Sequence, residues 1–431
     1  NHIFLFEDGI KFNYKIIEIN VSPLTEEMID NISTVNNSVE KLSDKFGELE
    51  EMSMRGVSTQ QNMNDKKMSG VIARLMALMM ASLALVAPAK DVRWSCERAK
   101  AWGDARPWYC GVNYIPANAI NYTAMWDKTS FSPEVIRKEL RLATEIGMNC
   151  VRVIIQYKVF EDDPAYLLKV FDQFLAICDE AKIKVVPVFF DDCQMGVNCD
   201  PVLGKQPEPL EGWYSWAWSP SPGHTMVIDA RTHHLLEKYV KTVIAAHRDD
   251  PRILFWDLYN EPTNSMGREG RAYSIALLKK VFAWAHEVNP SQPITSGVWN
   301  GDKELKEVML ANSDIITFHC YQNRQATQKM IENLSRHGRP VICTEWMNRL
   351  TNCRLEDVLP VYVEKNVGCI LWGLVNGKTQ THYPWGHRPS KLPYKGEWQV
   401  DLFRGDFTPY RASEIEILKK TISSKVKPKH P

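Results

Sequence analysis

From residue 110 onward, short apolar runs alternate with longer stretches whose apolar positions recur at helical spacing. Continuous apolar runs are typical of strands buried on both faces, and their alternation with amphipathic helices indicates repeated βα units and a parallel sheet. Eight such runs are present, at residues 111–115, 150–155, 185–190, 253–259, 294–298, 315–320, 341–344 and 368–374. The pattern therefore predicts eight parallel strands.

Eight strands with intervening helices predict an α/β fold of the closed (β/α)8 TIM-barrel type, which we assign to residues 90–425. A doubly wound open sheet normally has fewer strands and carries a glycine-rich nucleotide turn, and no such turn appears here. Ser132-Pro133 predicts a helix start capped by the serine hydroxyl, and Asn289-Pro290 predicts a helix end. The long connection at 191–228 is expected to wall a cleft.

Upstream of the barrel, the apolar pattern takes two other forms. Residues 24–52 carry apolar positions at alternating spacings of four and three, which is the period of a coiled-coil helix. Residues 68–89 combine a basic start, an apolar run shorter than the roughly 20 residues of a membrane span, and small residues at the end. That combination is typical of a secretory signal peptide.

We therefore expect translation to begin at Met63 or Met68, the signal peptide to be cleaved, and the protein to be secreted or periplasmic without a stable membrane partner. Residues 1–67 are then an N-terminal extension that lies outside the native protein. The alternative is that residues 24–52 form an oligomerising stalk, followed by an uncleaved signal anchor.

Composition narrows the class of protein further. The 52 basic and 52 acidic residues balance, so nothing indicates nucleic acid or an anionic membrane as a partner. The ten cysteines lack paired CxxC spacing, and we expect no metal and no cofactor. Cys193 and Cys199 are close enough along the chain for a disulfide in an exported protein. The 14 tryptophans suit either core packing or stacking against sugars.

Two glutamates stand where barrel enzymes carry their catalytic groups, at the carboxyl ends of strands. The fourth run leads into Asn260-Glu261-Pro262, and the seventh ends at Glu345. Strands four and seven face each other across a barrel, so the two carboxyl groups can flank one substrate. One glutamic acid protonates the leaving oxygen while the other carboxylate attacks the anomeric carbon. A lone glutamate would more often be a cap partner or an ion pair, but the pair favours glycoside hydrolysis.

Over residues 111–402 the sequence resembles glycoside hydrolase family 5, within the clan A retaining barrels. Asn260-Glu261-Pro262 resembles the acid/base motif of the family, and Glu345 resembles its nucleophile. The resemblance also implies catalytic support from four residues at strand ends: Arg152, Asn260, His319 and Tyr321. We expect Arg152 and Tyr321 to keep the pKa of Glu345 low, and burial and repulsion to raise that of Glu261.

Further residues are expected to bind the sugar: Trp372, Trp299, Trp346, Asp191, Asp192 and Asn113. Trp372 matches the strand-eight aromatic of the family. Many family members carry a histidine near the end of strand three, where this chain has Asp191 and Asp192, so the substrate stays open among glucan, mannan and xylan. The loop at 373–385 is expected to close one end of the cleft, which favours exo action or short oligosaccharides.

The expected function is therefore retaining hydrolysis of β-linked plant-type polysaccharides or oligosaccharides, with carbohydrate as the partner. Two alternatives belong to other classes of protein. One is a non-catalytic carbohydrate-binding barrel, which would require the loss of a catalytic carboxylate. The other is an anchored oligomeric adhesin that uses the predicted coiled coil at 24–52.

Overall fold

The computed structural model describes residues 93–196, 198–389 and 392–426, together with the strands His2–Leu5 and Lys15–Glu18. The chain divides into two compact units, Asn1–Lys90 and Asp91–Pro431. In the first unit the two short strands pair antiparallel. The predicted coiled coil and signal peptide lie outside the described residues. Within the described ranges, none of the helices combines the length and apolarity that a bilayer crossing requires.

The second unit contains a sheet of eight parallel strands in the order β5-β4-β3-β2-β1-β8-β7-β6. The strands are β1 (Cys110–Asn113), β2 (Cys150–Ile154), β3 (Lys184–Asp191), β4 (Trp256–Asn260), β5 (Ile294–Thr295), β6 (Ile316–His319), β7 (Val341–Trp346) and β8 (Gly368–Trp372). Val298, just beyond β5, bridges Phe318 in β6 and closes the ring. The predicted (β/α)8 barrel is confirmed.

Strand β5 is shorter than the predicted run at 294–298, because hydroxyl groups replace part of the backbone ladder. The Thr295 hydroxyl donates to the Ile315 carbonyl at 3.0 Å, and the Ser296 hydroxyl donates to the Tyr259 carbonyl at 2.9 Å. The backbone then rejoins the barrel at Val298, whose N–H donates to Thr317 at 2.9 Å. Local polar contacts thus divide this strand without opening the barrel.

Helices surround the strands and follow the predicted alternation. They are α1 (Cys96–Asp104), α2 (Tyr122–Trp126), α3 (Pro133–Glu145), α4 (Tyr157–Asp162), α5 (Pro164–Glu180), α6 (His224–Ile228), α7 (His233–Ala246), α8 (Gly267–Val288), α9 (Lys303–Asn312), α10 (Arg324–Ser335), α11 (Leu355–Glu364) and α12 (Ala412–Val426). Helix α3 starts at Pro133 as predicted, but the Ser132 side chain makes no capping bond. Asn289 ends α8 in the left-handed conformation at φ 52°.

The amino-terminal end of the barrel is plugged by apolar side chains around α1. Trp94 precedes this helix and Trp102 belongs to it, and both pack in one buried cluster with Ile342 of β7 and Ile370 of β8, near the starts of those strands. At Gly111 of β1 a Cβ atom would lie 2.1 Å from the Cys150 carbonyl oxygen, so only glycine permits this close approach of strands. The opposite, carboxyl end is left for a functional site.

Two long connections form a wall at the carboxyl end of the barrel. They are residues 192–223, between β3 and α6, and residues 373–411, between β8 and α12. The Tyr214 N–H donates to the His387 carbonyl at 3.2 Å, and the Ser215 hydroxyl donates to the Thr379 carbonyl at 3.1 Å. The first connection thus lies at the cleft, as expected, and it is joined to the second.

A buried arginine holds the second connection in place. Arg349, 1% exposed, donates from Nε and Nη2 to both carboxylate oxygens of Glu414 in α12, at 2.8 and 2.6 Å. It also donates to the carbonyl oxygens of Val400 and Asp401 at 2.7 and 2.9 Å. Because both charges are buried and paired, losing Arg349 leaves Glu414 with only a 3.7 Å contact to Arg411.

Replacing Arg349 by methionine is expected to lower the free energy of unfolding by up to about 3–5 kcal/mol, since the buried Glu414 carboxylate would keep only its 3.7 Å contact with Arg411. Urea denaturation followed by circular dichroism measures the change. The control is Arg324→Met, which removes an exposed pair with Glu364 and should cost less than about 1 kcal/mol. Equal losses in the two variants would contradict a supporting role for the buried pair.

Candidate active site

Two glutamates meet at the open end of the barrel. Glu345 is the fifth residue of β7, and Glu261 directly follows β4. One oxygen of each carboxyl group and one ring nitrogen of His319 all lie within 4.8 Å of one another. Both glutamates line the same cavity. The predicted pair of carboxyl groups is therefore brought together by strands on opposite sides of the barrel.

Both oxygens of Glu345 are held by donors. The Arg152 Nη1 atom donates to Oε1 at 2.9 Å, and the Tyr321 hydroxyl donates to Oε2, also at 2.9 Å. The His319 Nδ1 atom lies 3.5 Å from Oε2. Two donors on two different oxygens fix the plane of the carboxylate and leave it facing the cavity.

Arg152 joins four strands of the barrel. From β2 its guanidinium donates to Asp257 and Asn260 of β4 at 2.9 and 2.7 Å, to Asn113 of β1 at 2.8 Å and to Glu345 of β7. Asp257 was not singled out from the sequence. The sequence did contain an indication of its role. Asp257 is a carboxylate inside an apolar strand, and a fully buried charge requires a partner.

Glu261 has a different set of partners. Its Oε1 atom lies 2.8 Å from His319 Nδ1, and its Oε2 atom accepts from the Asn264 amide at 2.6 Å and from the Cys193 thiol at 3.5 Å. No arginine or lysine among the described residues pairs with this carboxyl group. The two glutamates thus sit in unequal electrostatic surroundings.

The turn that carries Glu261 has an uncommon backbone. Glu261 and Thr263 have positive φ angles of 41° and 78°, in a region that costs energy for residues other than glycine. Asp192 holds this turn, because its carboxylate accepts from the Thr263 N–H and the Tyr259 hydroxyl at 2.7 Å and from the Ser274 hydroxyl at 2.5 Å. The direction of the Glu261 side chain is therefore set by a turn whose uncommon backbone conformation is stabilised by Asp192.

The structure corrects the expected placement of Asp191 and Asp192, neither of which reaches the cavity surface. Asp192 is fully buried beneath the Glu261 turn. Asp191, 1% exposed, accepts from the Asn260 amide and the Trp218 indole, both at 2.8 Å. Their oxygens are occupied by protein donors, so they position neighbouring residues instead of lining the cavity.

Three other residues expected to touch sugar also lie off the cavity surface. Trp346 is fully buried and packs 5.0 Å from the Tyr362 ring, because alternation along β7 turns it away from the side that Glu345 faces. The Trp299 indole donates to the Pro262 carbonyl at 3.0 Å, and the Asn113 amide donates to the Thr344 carbonyl at 2.7 Å. Both therefore support the site from behind.

Burial dominates the electrostatics of the pair. It raises the pKa of Glu261, which the Asn264 hydrogen bond opposes. Burial also raises the pKa of Glu345, Glu261 adds to that rise, and Arg152 and Tyr321 oppose it. The expectation of a low Glu345 pKa is thus wrong in direction, although both predicted contacts are present. Burial lowers the pKa of His319 to about 4, so its ring is neutral near pH 7.

The cavity has a volume of about 300 Å³. It is lined by Cys193, Gln194, Met195, Tyr214, Trp218, Asn260, Glu261, Tyr321, Glu345, Trp372, Trp385, Gly386 and Arg388. The Trp218 and Trp372 rings meet edge to face at 5.8 Å, and the Trp385 ring lies 5.0 Å from Tyr321. Aromatic walls with a few polar groups are typical of small-molecule sites.

Five predicted site residues line the cavity, namely Asn260, Glu261, Tyr321, Glu345 and Trp372. The sequence missed several residues from the two long connections, including Tyr214 and Arg388. It left the tryptophans open between core packing and stacking against sugars, without showing that Trp218 and Trp385 line the cavity. Nothing in the local sequence around Arg388 marked it as a cavity residue.

Two groups of side chains could present three metal ligands each: Asp172, His247 and Asp250, and Glu261, His319 and Glu345. In the first group the Arg252 guanidinium lies 2.6 Å from an oxygen of Asp172 and from one of Asp250, so an internal cation already neutralises these acids. In the second, Arg152 supplies positive charge to Glu345.

The disulfide that the sequence allowed between Cys193 and Cys199 is not formed. Both residues carry free thiols, and Cys193 is buried while Cys199 is exposed. The Cys193 thiol faces Glu261 and Asn260, each at 3.5 Å, whereas Cys199 lies 3.8 Å from Asp200. The structural reason is that Cys193 points into the cavity, away from its neighbour in the chain.

Comparison with known proteins adds to this geometry. A family model described as cellulase (glycosyl hydrolase family 5) matches residues 115–378, which is more than half of the chain. That range contains both glutamates of the pair. No curated protein matches the chain.

Solved structures of glycoside hydrolases are similar in fold. A GH5_18 protein from Streptomyces cattleya in complex with GlcNAc has a TM-score of 0.54 at 14% identity, covering 76% of this chain and 82% of that one. A GH5-4 broad-specificity endoglucanase from Clostridium longisporum has a TM-score of 0.51 at 10% identity, with coverage of 76% and 99%. An exo-β-1,4-mannosidase from Opitutaceae bacterium strain TAV5 has a TM-score of 0.50 at 18% identity, with coverage of 74% and 59%.

Proposed function

We propose, from the premise that this chain belongs to glycosyl hydrolase family 5, that it cleaves β-linked sugars with retention of configuration. Family membership makes the protein a glycosidase. The observation that carries the finer proposal is the pair of carboxyl groups, Glu261 and Glu345, with oxygens within 4.8 Å in one cavity. Retaining enzymes keep their carboxyl groups about 5–5.5 Å apart, whereas inverting enzymes leave room for a water molecule.

In the first step the Glu345 carboxylate attacks the anomeric carbon and forms a glycosyl ester, while Glu261 gives its proton to the departing glycosidic oxygen. Arg152 and Tyr321 hold the two Glu345 oxygens, which keeps the nucleophile oriented. The raised pKa of Glu261 favours its protonated form, as a general acid requires.

In the second step the Glu261 carboxylate takes a proton from water, the water oxygen bonds to the anomeric carbon, and the ester bond to Glu345 breaks. His319 faces the Glu261 Oε1 atom as a neutral ring, so it orients this group without adding the positive charge that would hold it ionised. Asn264 stabilises the ionised form by donating to Oε2. Neutral His319 thus faces the protonated form of Glu261, and Asn264 stabilises its ionised form.

The cavity supports action on short saccharides or chain ends. Its volume of about 300 Å³ is at the lower end of the range for small-molecule sites. The connections at 192–223 and 373–411 are hydrogen-bonded to each other across one side. Trp218, Trp372 and Trp385 offer aromatic faces to the apolar side of a sugar ring. Glucan, mannan and xylan fragments all remain candidate substrates.

The test is hydrolysis of cello-, manno- and xylo-oligosaccharides and aryl β-glycosides, followed by proton NMR during the first turnovers. Retention requires the β-anomer to appear before mutarotation. An α-anomer as first product would contradict the assignment of Glu345 as nucleophile. Sugar binding without turnover of any of these compounds would favour the carbohydrate-binding barrel instead.

A bell-shaped dependence of kcat/KM on pH is expected. Activity falls at low pH as Glu345 becomes protonated and at high pH as Glu261 ionises, and burial, which raises both pKa values, moves both limbs upward. Asn264→Ala removes a donor that stabilises ionised Glu261, so it should move the basic limb upward. Measuring kcat/KM against pH for both proteins checks this. Movement of the acidic limb alone would contradict the assignment of Glu261 as the acid.

Export through a cleaved signal peptide at 68–89 stays a prediction that accompanies this function. Mass spectrometry of the mature N-terminus decides it. A terminus near Ala89 supports secretion or a periplasmic location, and retention of residues 24–52 in the mature protein would favour the anchored, oligomeric alternative.

A further inference from the structure

The cavity contains one cationic side chain opposite its two acidic ones. Among the lining residues the charged groups are Glu261, Glu345 and Arg388. Arg388 comes from the connection at 373–411, whereas both glutamates come from the barrel. A guanidinium on this wall can donate to the hydroxyl groups of a neutral sugar, but an anionic group on the sugar would bind it more strongly.

Arg388 stacks over an aromatic ring and has donors that are not used within the protein. Its guanidinium carbon lies 4.5 Å from the centroid of the Trp213 ring, which restricts the plane of the group. One hydrogen bond is recorded for it, from Nη1 to the His387 carbonyl at 3.2 Å. An arginine has five N–H donors in a fixed fork that matches carboxylate and sulfate oxygens. Arg388 therefore presents most of that fork unused.

Arg388 differs from the other arginines around this connection. Arg354 and Arg411 both pair with Glu397, and Arg349 pairs with Glu414. Within the described ranges, no carboxylate of the chain pairs with Arg388. Arg388 is half-buried, so its free donors face the cavity and are available to an anionic group of a ligand.

The charge of the glutamate pair makes a cation necessary for an acidic substrate. A negatively charged sugar entering the cavity would be repelled by ionised Glu345, and Arg152 is already shared between Glu345 and Asp257. Beside the cavity, a more open depression shares Trp385 with it and contains the exposed side chain of Lys395. Positive charge thus continues outward along the same connection.

We propose that the substrate carries an anionic group, a uronate carboxylate or a sulfate ester, which Arg388 binds while the glycosidic bond lies between Glu261 and Glu345. This rests on the proposed glycosidase function and adds the chemical class of the sugar. The fork of Arg388 pairs with two oxygens of the anion, and the Trp213 ring keeps that fork in place.

The experiment compares matched substrates. Neutral gluco-, manno- and xylo-oligosaccharides are assayed beside the same oligosaccharides with one uronosyl branch or one sulfate ester, for the wild type, Arg388→Gln and Arg388→Lys. We expect kcat/KM to be higher for an acidic member than for its neutral parent. Arg388→Gln should lower the acidic-to-neutral ratio by about 10- to 100-fold, and Arg388→Lys by less, because lysine keeps the charge without the fork.

The control is Arg404→Gln. Arg404 is exposed and lies over the Tyr410 ring at 5.5 Å in the same connection, but it does not line the cavity, so its loss should leave the ratio unchanged. The uronosyl and sulfated series show which anion is bound. Equal effects of Arg388→Gln on acidic and neutral members overturn the inference and leave glycoside hydrolysis standing. If the protein hydrolyses neither the acidic nor the neutral oligosaccharides, both the inference and the proposed glycosidase function are overturned.

Discussion

Replacing Glu345 by alanine is expected to lower kcat/KM by on the order of 10⁴-fold or more, because it removes the carboxylate that we assign to form the bond to the anomeric carbon. The fold should survive, since Arg152 keeps its contact with Asp257 at 2.9 Å. Steady-state kinetics and circular dichroism measure the two effects. Sodium azide should restore part of the turnover, because a small anion can enter the vacated space and attack the sugar.

The azide product identifies the role of Glu345. Attack by azide in place of the carboxylate gives a glycosyl azide of inverted configuration, which NMR identifies. The matched control is Glu139→Gln. Glu139 is also fully buried, but it accepts from the Tyr114 hydroxyl at 2.8 Å and from the Ala117 N–H, away from the cavity. If both variants lost activity equally, without azide rescue, Glu345 would have a structural role instead.

The second large effect is expected for Glu261→Ala, and it depends on the leaving group. Natural oligosaccharides leave as poor alkoxides and should lose about 10²- to 10⁴-fold in kcat/KM, the contribution of a general acid. Aryl glycosides with acidic phenols need little protonation, so their first step should lose far less. Kinetics on a series of aryl glycosides of decreasing phenol pKa, beside one oligosaccharide, measure the difference.

Glu261→Ala should also remove the basic limb from the dependence of kcat/KM on pH, because the carboxyl group whose ionisation produces that limb is absent. Asn264→Ala is the matched comparison, since it keeps the acid and removes its 2.6 Å hydrogen bond. Uniform losses over good and poor leaving groups would contradict the acid/base assignment. A retained basic limb would assign that ionisation to another residue.

The positions of the two glutamates could be predicted because they depend on a simple rule of the fold. Parallel strands in a barrel end at the same mouth, so Glu261 after β4 and Glu345 in β7 had to approach each other. Strand alternation could also have excluded Trp346, the immediate neighbour of Glu345, from the cavity. As a tryptophan, Trp346 was expected to stack against sugar, but the geometry of β7 turns its side chain away from the cavity.

Other features could not be predicted because they depend on contacts between distant segments. Arg388 reaches the cavity only because the two long connections bond to each other at His387, with no local pattern to indicate the pairing. The roles of Asp191 and Asp192 depend on which donors surround them once buried. The pKa of Glu345 depends on the balance between burial and its donors, which a list of contacts does not give.

The contacts of Arg349 make the shape of the cavity wall depend on helix α12. Its guanidinium joins the backbone at 400–401 to Glu414, so the segment that brings Trp385 and Arg388 to the cavity depends on α12 for its anchorage. Shortening the chain before residue 412 would loosen the pocket as well as remove a helix. Any attempt to graft a new specificity segment into this barrel has to preserve the carbonyl groups of Trp398, Val400 and Asp401, to which Arg349 donates.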